Sequence, residues 1–140
     1  MEYITKNASE TKKLGKRLSA DLKGRVVALE GDLGAGKTTF VQGIAEGLGI
    51  KSRVNSPTFI ILRSYESEKL NLYHVDLYRI EKNIKQEIQE IGLTDLWKDS
   101  KNTIVVEWAN RAKDYLPQNA VWIKIENIGE NKRKIIINHE

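Results

Sequence analysis

Residues 31–38 carry the most informative pattern in this chain, Gly-Asp-Leu-Gly-Ala-Gly-Lys-Thr. A glycine, four residues and then Gly-Lys-Thr is typical of a loop that binds phosphate groups. Glycines at 31, 34 and 36 permit positive φ values, so that backbone N–H groups can surround phosphate oxygens. Lys37 suits the β- and γ-phosphates, and the hydroxyl of Thr38 suits Mg²⁺. The pattern predicts a nucleotide site.

The segments on either side of this loop have the patterns that such a site requires. Val26–Leu29 is a β-branched apolar run that predicts a buried strand. Apolar residues then recur at every fourth position across residues 39–48, as on one face of a helix, and Gly49 follows where a helix would end. The order strand, glycine-rich loop, helix favours the phosphate site over the alternative, a glycine-rich turn that exposes a lysine.

Two carboxylates follow runs of residues that predict strands further along the chain. A magnesium–nucleotide site usually needs an acid at the end of a second apolar strand, to hold the metal or orient a water. Glu107 closes the run 103–106 and is the first candidate, and Asp76 closes the run 70–75 and is the second. A solvated residue at a strand edge is the alternative for each. His74 is interpreted as a structural or network residue, because phosphoryl transfer depends on positioning more than on an imidazole.

Thr58 lies in a Ser-Pro-Thr segment between the loop helix and the next strand, where loops that sense a γ-phosphate often lie. Its hydroxyl could reach Mg²⁺ or the phosphate, and an ordinary turn containing a proline is the alternative.

ATP is preferred over GTP, because the late pair Asn131-Lys132 lacks the aspartate of a guanine-binding Asn-Lys-x-Asp segment.

Composition bounds the class of protein. The 140 residues include no cysteine, which excludes disulfides and thiolate metal sites. No apolar stretch approaches the length of a membrane span of about 20 residues, and the first residues lack the layout of a signal peptide. We therefore expect one cytoplasmic domain over residues 1–140. The net charge is +4, and a basic cluster at residues 12–17 fits a solvated helix face or, alternatively, a nucleic-acid contact.

The remaining patterns predict an α/β fold, a single P-loop NTPase-like domain with a mixed parallel and antiparallel sheet flanked by helices. Three features carry this prediction: a first helix between Asn7 and Gly24, two short helical segments around Gly92, and further strands. The predicted strands are residues 59–65 and 70–76 as an antiparallel pair, 103–107 as a buried strand, and 120–127 with 132–138 as a hairpin.

Four segments in series resemble the TsaE (YjeE) family of small P-loop ATPases. They are Gly-Asp-Leu-Gly-Ala-Gly-Lys-Thr-Thr-Phe at 31–40, Ser-Pro-Thr-Phe at 56–59, His-Val-Asp-Leu-Tyr-Arg at 74–79 and Val-Glu-Trp-Ala at 106–109. The resemblance implies a bacterial cytoplasmic ATPase that acts with the TsaB–TsaD pair in threonylcarbamoyladenosine modification of tRNA. It leaves open whether the chain contacts tRNA directly.

The resemblance also implies roles for particular residues. The loop that holds the phosphates would comprise Gly34, Ala35, Gly36, Lys37, Thr38 and Thr39. Thr38 and Glu107 would hold Mg²⁺, and Thr11 and Arg133 would contact the adenine side. Thr58, Asp76 and Trp108 fall in segments near the nucleotide or a partner surface. Asn110 departs from the family pattern, since many relatives have an acidic residue there.

Three functions share this loop: a partner-activated ATPase, a small-molecule kinase, and a nucleotide-dependent binding module in which hydrolysis is secondary. The ATPase is preferred. An arginine that stabilises the transition-state charge increases hydrolysis about 10³- to 10⁵-fold. Arg79 could supply it, or it could come only with the assembled complex. We therefore expect slow hydrolysis by the isolated chain and stimulation by its partners.

Overall fold

The computed structural model describes residues 1–31, 36–51, 54, 62–68, 70–77 and 82–139. The helices and strands, in chain order, are β1 Glu2–Thr5, α1 Ala8–Leu22, β2 Val26–Glu30, α2 Lys37–Gly47, β3 Leu62–Glu66, β4 Asn71–Asp76, α3 Ile84–Glu90, α4 Leu93–Leu96, β5 Asn102–Glu107, a 3₁₀ helix Ala109–Tyr115, β6 Val121–Asn127 and β7 Arg133–His139. No helix among the described residues is long and apolar enough to cross a membrane.

The strands form one seven-stranded sheet in the order β1-β7-β6-β2-β5-β4-β3. The four inner strands β6, β2, β5 and β4 are parallel, and β3, β7 and β1 add antiparallel pairs at the two edges. Every residue of β5 is buried, as expected for a central strand covered on both faces. The predicted α/β fold with a mixed sheet is confirmed.

Helices cover both faces of the sheet. Val27 and Leu29 of β2 point to the side of α1 and α2, and Val26 and Ala28 point to the side of α3, α4 and the 3₁₀ helix. Successive side chains of a strand alternate between faces, so a strand buried on both faces must be apolar throughout. This explains why Val26–Leu29 is a continuous apolar run.

Helices α1 and α2 pack closely through glycines. A Cβ on Gly43 would lie 2.0 Å from the carbonyl oxygen of Lys12, and one on Gly15 would lie 2.4 Å from that of Phe40. No side chain fits at either position, so the two backbones are in direct contact. This contact fixes where α2, and therefore the N-terminus of that helix, lies against the sheet.

An ion-pair cluster also links these two helices. Glu46 of α2 lies 3.2 Å from the ammonium of Lys16 and 3.5 Å from that of Lys12, both on α1. The hydrogen bond and positive charge of Lys16, with a smaller contribution from Lys12, lower the pKa of the Glu46 carboxyl below its ordinary value. All three side chains are about half exposed, so the cluster is screened by water and salt.

Most sequence predictions of secondary structure match the described elements. The first helix is capped by Asn7, whose Oδ1 accepts a hydrogen bond from the N–H of Glu10 at 2.9 Å. The predicted strand 59–65 is present from Leu62 onward, and its first residues lie outside the described part. The edge strand β1 and the 3₁₀ helix Ala109–Tyr115 were not predicted.

Candidate nucleotide site

The candidate site lies at the carboxyl ends of the inner parallel strands. Strand β2 lies between β5 and β6, and the chain leaves its carboxyl end to enter α2. In open α/β sheets, ligands bind in the crevice beyond the carboxyl ends, where the connections diverge. Glu107 closes β5 and Asp76 closes β4, and the two residues are register partners on these adjacent strands. The sheet thus brings both predicted carboxylates to the start of α2.

A cavity of about 350 Å³ occupies this crevice. Its lining contains Ala8, Thr11, Gly36, Lys37, Thr38, Thr39, Asp76, Glu107, Trp108, Asn131 and Arg133. Every predicted site residue that the structure describes is among them. The predicted residues Gly34, Ala35 and Thr58, together with Arg79, lie outside the described residues. Ala8 and Asn131 were not predicted, since neither has a side chain that signals nucleotide chemistry.

The start of α2 is arranged to receive an anion. Gly36, at the N-cap, has a φ of 94°, a left-handed conformation that favours glycine. No side chain of the described residues caps the first N–H groups of the helix, and these groups carry the positive end of the helix dipole. A Cβ on Gly36 would lie 3.5 Å from Nε of Arg133. The hairpin between β6 and β7 therefore places this arginine beside the start of the helix.

Lys37 is buried in the cavity wall, with only 5% of its surface exposed. Its Nζ donates a hydrogen bond to the carbonyl oxygen of Gly31 at 2.7 Å and lies 3.9 Å from Oε1 of Glu107. It also lies 4.7 Å from the centroid of the Trp108 ring, within the range of a cation–π contact. A buried ammonium requires such partners, and these hold it where phosphates would arrive.

Glu107 is also buried, and its two carboxylate oxygens have different neighbours. Oε2 forms a hydrogen bond with Nε2 of His74, a residue that is completely buried. Oε1 is the oxygen nearest the Lys37 ammonium. The sequence pointed to His74 only as a network residue, and the structure places its ring against the carboxylate.

The side chains present fit a magnesium ion that is bound together with phosphates. Mg²⁺ in such sites typically takes one or two carboxylates, a hydroxyl, phosphate oxygens and water. Glu107, Asp76 and Thr38 supply the protein part of that set around one cavity. No group of three or more metal-binding acids or histidines occurs among the described residues.

Trp108 follows Glu107 directly and has an unusual backbone. Its φ is 58°, in the left-handed region that large side chains rarely adopt. Two cations lie over the ring: the guanidinium of Arg111 is 5.4 Å from its centroid, in addition to the Lys37 ammonium. Such backbone conformations cluster at functional sites. Trp108 thereby connects the cavity to the 3₁₀ helix, on whose exposed side Asn110 lies.

Thr11 and Arg133 line the cavity from its other side. Thr11 is buried, and its hydroxyl lies 2.6 Å from that of Thr5 in β1. Nη1 of Arg133 donates to the carbonyl oxygen of Lys132 at 2.9 Å and to Oδ1 of Asn127 at 3.3 Å. The hairpin therefore orients Arg133, and the unpredicted strand β1 holds Thr11. The adenine-side roles of both residues stay predictions.

Comparison with known proteins identifies the family. The sequence model described as "Threonylcarbamoyl adenosine biosynthesis protein TsaE" matches residues 5–135. The chain belongs to the TsaE family. That match extends from β1 into β7 and includes all the described lining of the cavity.

Individual relatives agree with the TsaE assignment. The chain is 45% identical over 136 residues to the tRNA threonylcarbamoyladenosine biosynthesis protein TsaE of Bacillus subtilis, covering 96% of this chain and 83% of the relative. It is 39% identical to the protein of the same name from Aquifex aeolicus, covering 97% and 94% of the two chains. The crystal structure of YdiB from Bacillus subtilis superimposes with a TM-score of 0.81 at 38% identity, covering 99% of this chain and 84% of that one.

Proposed function

We propose that this protein binds ATP with Mg²⁺ and hydrolyses it in support of threonylcarbamoyladenosine biosynthesis on tRNA. The observation that carries the chemical part is the pairing of Lys37 and Glu107 in the wall of one cavity at the start of α2. The relatives named above carry the biological part, since their names place them in this tRNA modification.

The phosphates would lie at the N-terminus of α2. There the first N–H groups of the helix and the Lys37 ammonium supply positive charge to the β- and γ-phosphates. To reach them, Lys37 has to turn away from the carbonyl oxygen of Gly31, its present acceptor. Thr11 and Arg133, which also line the cavity, would contact the nucleoside.

Thr38 and Glu107 would hold the metal, which supplies charge neutralisation to the phosphate oxygens when bound. Asp76, the register partner of Glu107, would orient the attacking water. That water adds to the γ-phosphorus while the bond to the β-phosphate oxygen breaks, which yields ADP and inorganic phosphate. The protein contributes position and charge and forms no covalent bond.

Hydrolysis by the isolated chain should be slow, and the TsaB–TsaD pair is the proposed activating partner, in the cytoplasm. A transition-state arginine from a partner would increase the rate about 10³- to 10⁵-fold.

A second function, a nucleotide-dependent binding module, is favoured by one observation. The Trp108 ring links Lys37 to Arg111 outside the cavity, so nucleotide binding at Lys37 can alter that surface.

The proposal is tested by phosphate release from Mg-ATP, with and without TsaB–TsaD. We expect Lys37→Ala and Glu107→Gln to reduce the stimulated rate about 100-fold or more, because each removes charge stabilisation from the transition state. Lys124→Ala and Glu126→Gln are matched controls, since these two residues form an exposed ion pair on β6. They should leave the rate unchanged.

Two results would separate the candidates. If Glu107→Gln abolishes hydrolysis but retains partner binding and tRNA modification, the protein acts as a binding module. If the wild-type protein neither binds nor hydrolyses ATP with its partners present, the proposed function is wrong.

A further inference from the structure

Two buried polar atoms near the site have no hydrogen-bond partner among the described residues. They are Nε of Arg63 in β3 and Nδ1 of His74 in β4. A buried polar group without a partner is rare in native proteins, and each instance calls for an explanation. His74 is completely buried, so bulk water does not reach its ring.

The two residues are neighbours across the sheet. Arg63 and His74 are register partners in the antiparallel pair of β3 and β4. Residues directly opposite in such a pair project from the same face, with Cβ atoms about 4.5–5.5 Å apart. The next pair on that face, Tyr65 with Leu72, belongs to the apolar core shared with α1 and α2. Arg63 therefore lies on the face of the sheet that carries the candidate site.

The chemistry of these two atoms is complementary. Nε of arginine is only ever a donor, whereas an uncharged imidazole has one donor nitrogen and one acceptor nitrogen. Nε2 of His74 meets Oε2 of Glu107. Because an ionised carboxylate only accepts, an uncharged His74 ring in this contact carries its one proton on Nε2. That leaves Nδ1 as an acceptor, opposite a residue whose buried N–H needs one.

We propose that the Arg63 side chain, whose Nε is unpaired within the described part of the chain, turns to donate a hydrogen bond from Nε–H to His74 Nδ1, and that this bond holds the Nε2–H of His74 on Glu107. In this series of hydrogen bonds, Arg63 holds His74 and His74 occupies Oε2 of the Glu107 carboxylate. It leaves Oε1, 3.9 Å from the Lys37 ammonium, for the cavity. Arg63 and His74 are then positioning residues for Glu107. This role rests on the proposed function, whereas the hydrogen bonds themselves do not.

The hydrogen bonds are tested without nucleotide. The chain has only two histidines, so long-range ¹H–¹⁵N spectra of the imidazole nitrogens are simple, and His139→Gln assigns them. We expect the Nε2–H tautomer for His74 in the wild-type protein. Arg63→Met should shift the Nδ1 resonance of His74 toward that of an unbonded nitrogen. Arg17→Met, which removes an exposed arginine on α1, should not shift it.

The positioning role is tested by two substitutions at His74. The side-chain amide of glutamine extends to the position of Nε2 and can still donate to Glu107, whereas that of asparagine extends only to the position of Nδ1. We expect His74→Asn to lower kcat for ATP hydrolysis about 10- to 100-fold with little change in KM, as for other residues that orient a metal ligand. His74→Gln should retain most of kcat. The kcat of the Arg63→Lys variant, which keeps a hydrogen-bond donor, should be higher than that of the Arg63→Met variant.

The outcomes distinguish the two proposals. An Nδ1–H tautomer of His74 in the wild-type spectrum, or an Nδ1 resonance that Arg63→Met leaves unmoved, overturns the hydrogen-bond chain. Equal kcat values for His74→Gln and His74→Asn overturn the positioning role. If the wild-type protein hydrolyses no ATP, the proposed function fails and the positioning role fails with it. The spectra then still decide whether the hydrogen bonds exist.

Discussion

Lys37 and Glu107 are buried, and each lies close to the other. Three neighbours also stabilise them in their ionised forms: the Gly31 carbonyl and the Trp108 ring contact Lys37, and the His74 ring contacts Glu107. Removing one member of a buried pair leaves the other charge uncompensated, which is costly. These contacts involve the same groups that the proposed function assigns to phosphate and metal. Under that proposal, a nucleotide would have to displace some of these contacts in order to bind.

Trp108 should report this displacement. Phosphates that attract Lys37 would withdraw the ammonium from the indole ring, where the contact contributes about 0.5–2 kcal/mol. We expect the fluorescence of Trp108 to change on addition of a non-hydrolysable ATP analogue with Mg²⁺. The chain has three tryptophans, so the measurement uses a Trp97→Phe, Trp122→Phe background.

Lys37→Ala in the same background is the control for this measurement, because it removes the cation whose movement is observed. An unchanged emission spectrum at nucleotide concentrations that saturate binding would show that Lys37 stays on the ring.

The sequence indicated which residues could belong to the site, but it did not indicate which of their side chains contact one another. Lys37, Thr38 and Glu107 were predicted from a motif and from strand ends, and the structure places them around one cavity. No sequence signal pairs Trp108 with Arg111, or Arg63 with His74. Both relationships depend on the direction of a side chain or on the register between strands, which local patterns do not determine.

At the scale of elements, the contact between α1 and α2 determines where α2 lies. We expect Gly43→Ala to destabilise the protein by about 1–3 kcal/mol or more, because the new Cβ would meet the backbone of Lys12, which cannot move aside. Nucleotide affinity should fall as well, since α2 would be displaced. Denaturant unfolding and nucleotide titration measure the two effects.

Gly129→Ala is the matched control for this substitution. The nearest atoms to a Cβ at that position lie 3.8 Å away, in ordinary contact. Its stability should stay close to that of the wild-type protein. Equal stabilities for the two variants would show that α1 and α2 can separate without cost.

The ion pairs between α1 and α2 should give a small contribution to stability that depends on pH. The pKa of Glu46 is lower in the folded protein than its ordinary value of 4.5, so the ionised carboxylate stabilises the fold above that pH. This contribution is lost as the pH falls through the lowered pKa. Glu46→Gln should therefore be less stable than wild type near pH 7 and equal to it in strong acid.

High salt should reduce this difference, because the side chains are exposed and screened. Glu130→Gln, in the exposed turn before β7, is the control. If the difference between wild type and Glu46→Gln is the same at all pH values, packing rather than charge accounts for it.

At the scale of the whole molecule, the cavity draws residues from distant parts of the chain. Thr11 comes from α1, Glu107 from β5 and Arg133 from β7. A ligand that bridges them should stabilise the folded state as a unit. At a concentration about 100 times its Kd, a ligand contributes about 2.7 kcal/mol to the free energy of unfolding.

For a domain of this size, we expect Mg-ATP to raise Tm by several degrees at saturation. The increase should fall when EDTA removes Mg²⁺ and should be lost in Lys37→Ala. Thermal unfolding followed by circular dichroism measures it. An equal increase in Lys37→Ala would place the nucleotide elsewhere.

Patterns that act over a few residues account for the local features of this protein. The apolar runs, the Asn7 cap and the series of motifs were enough to predict most elements and the family, and the phosphate-binding role of the glycine-rich pattern stays a prediction. β1 was not predicted, because a segment of only four residues gives a weak pattern and forms a strand by pairing with β7, more than a hundred positions later.

The sheet order brings Glu107 and Asp76 to the start of α2 and His74 against Glu107, and it is known only from the tertiary structure. Strand register and side-chain direction depend on contacts between segments that are far apart in the sequence, so local patterns do not specify them.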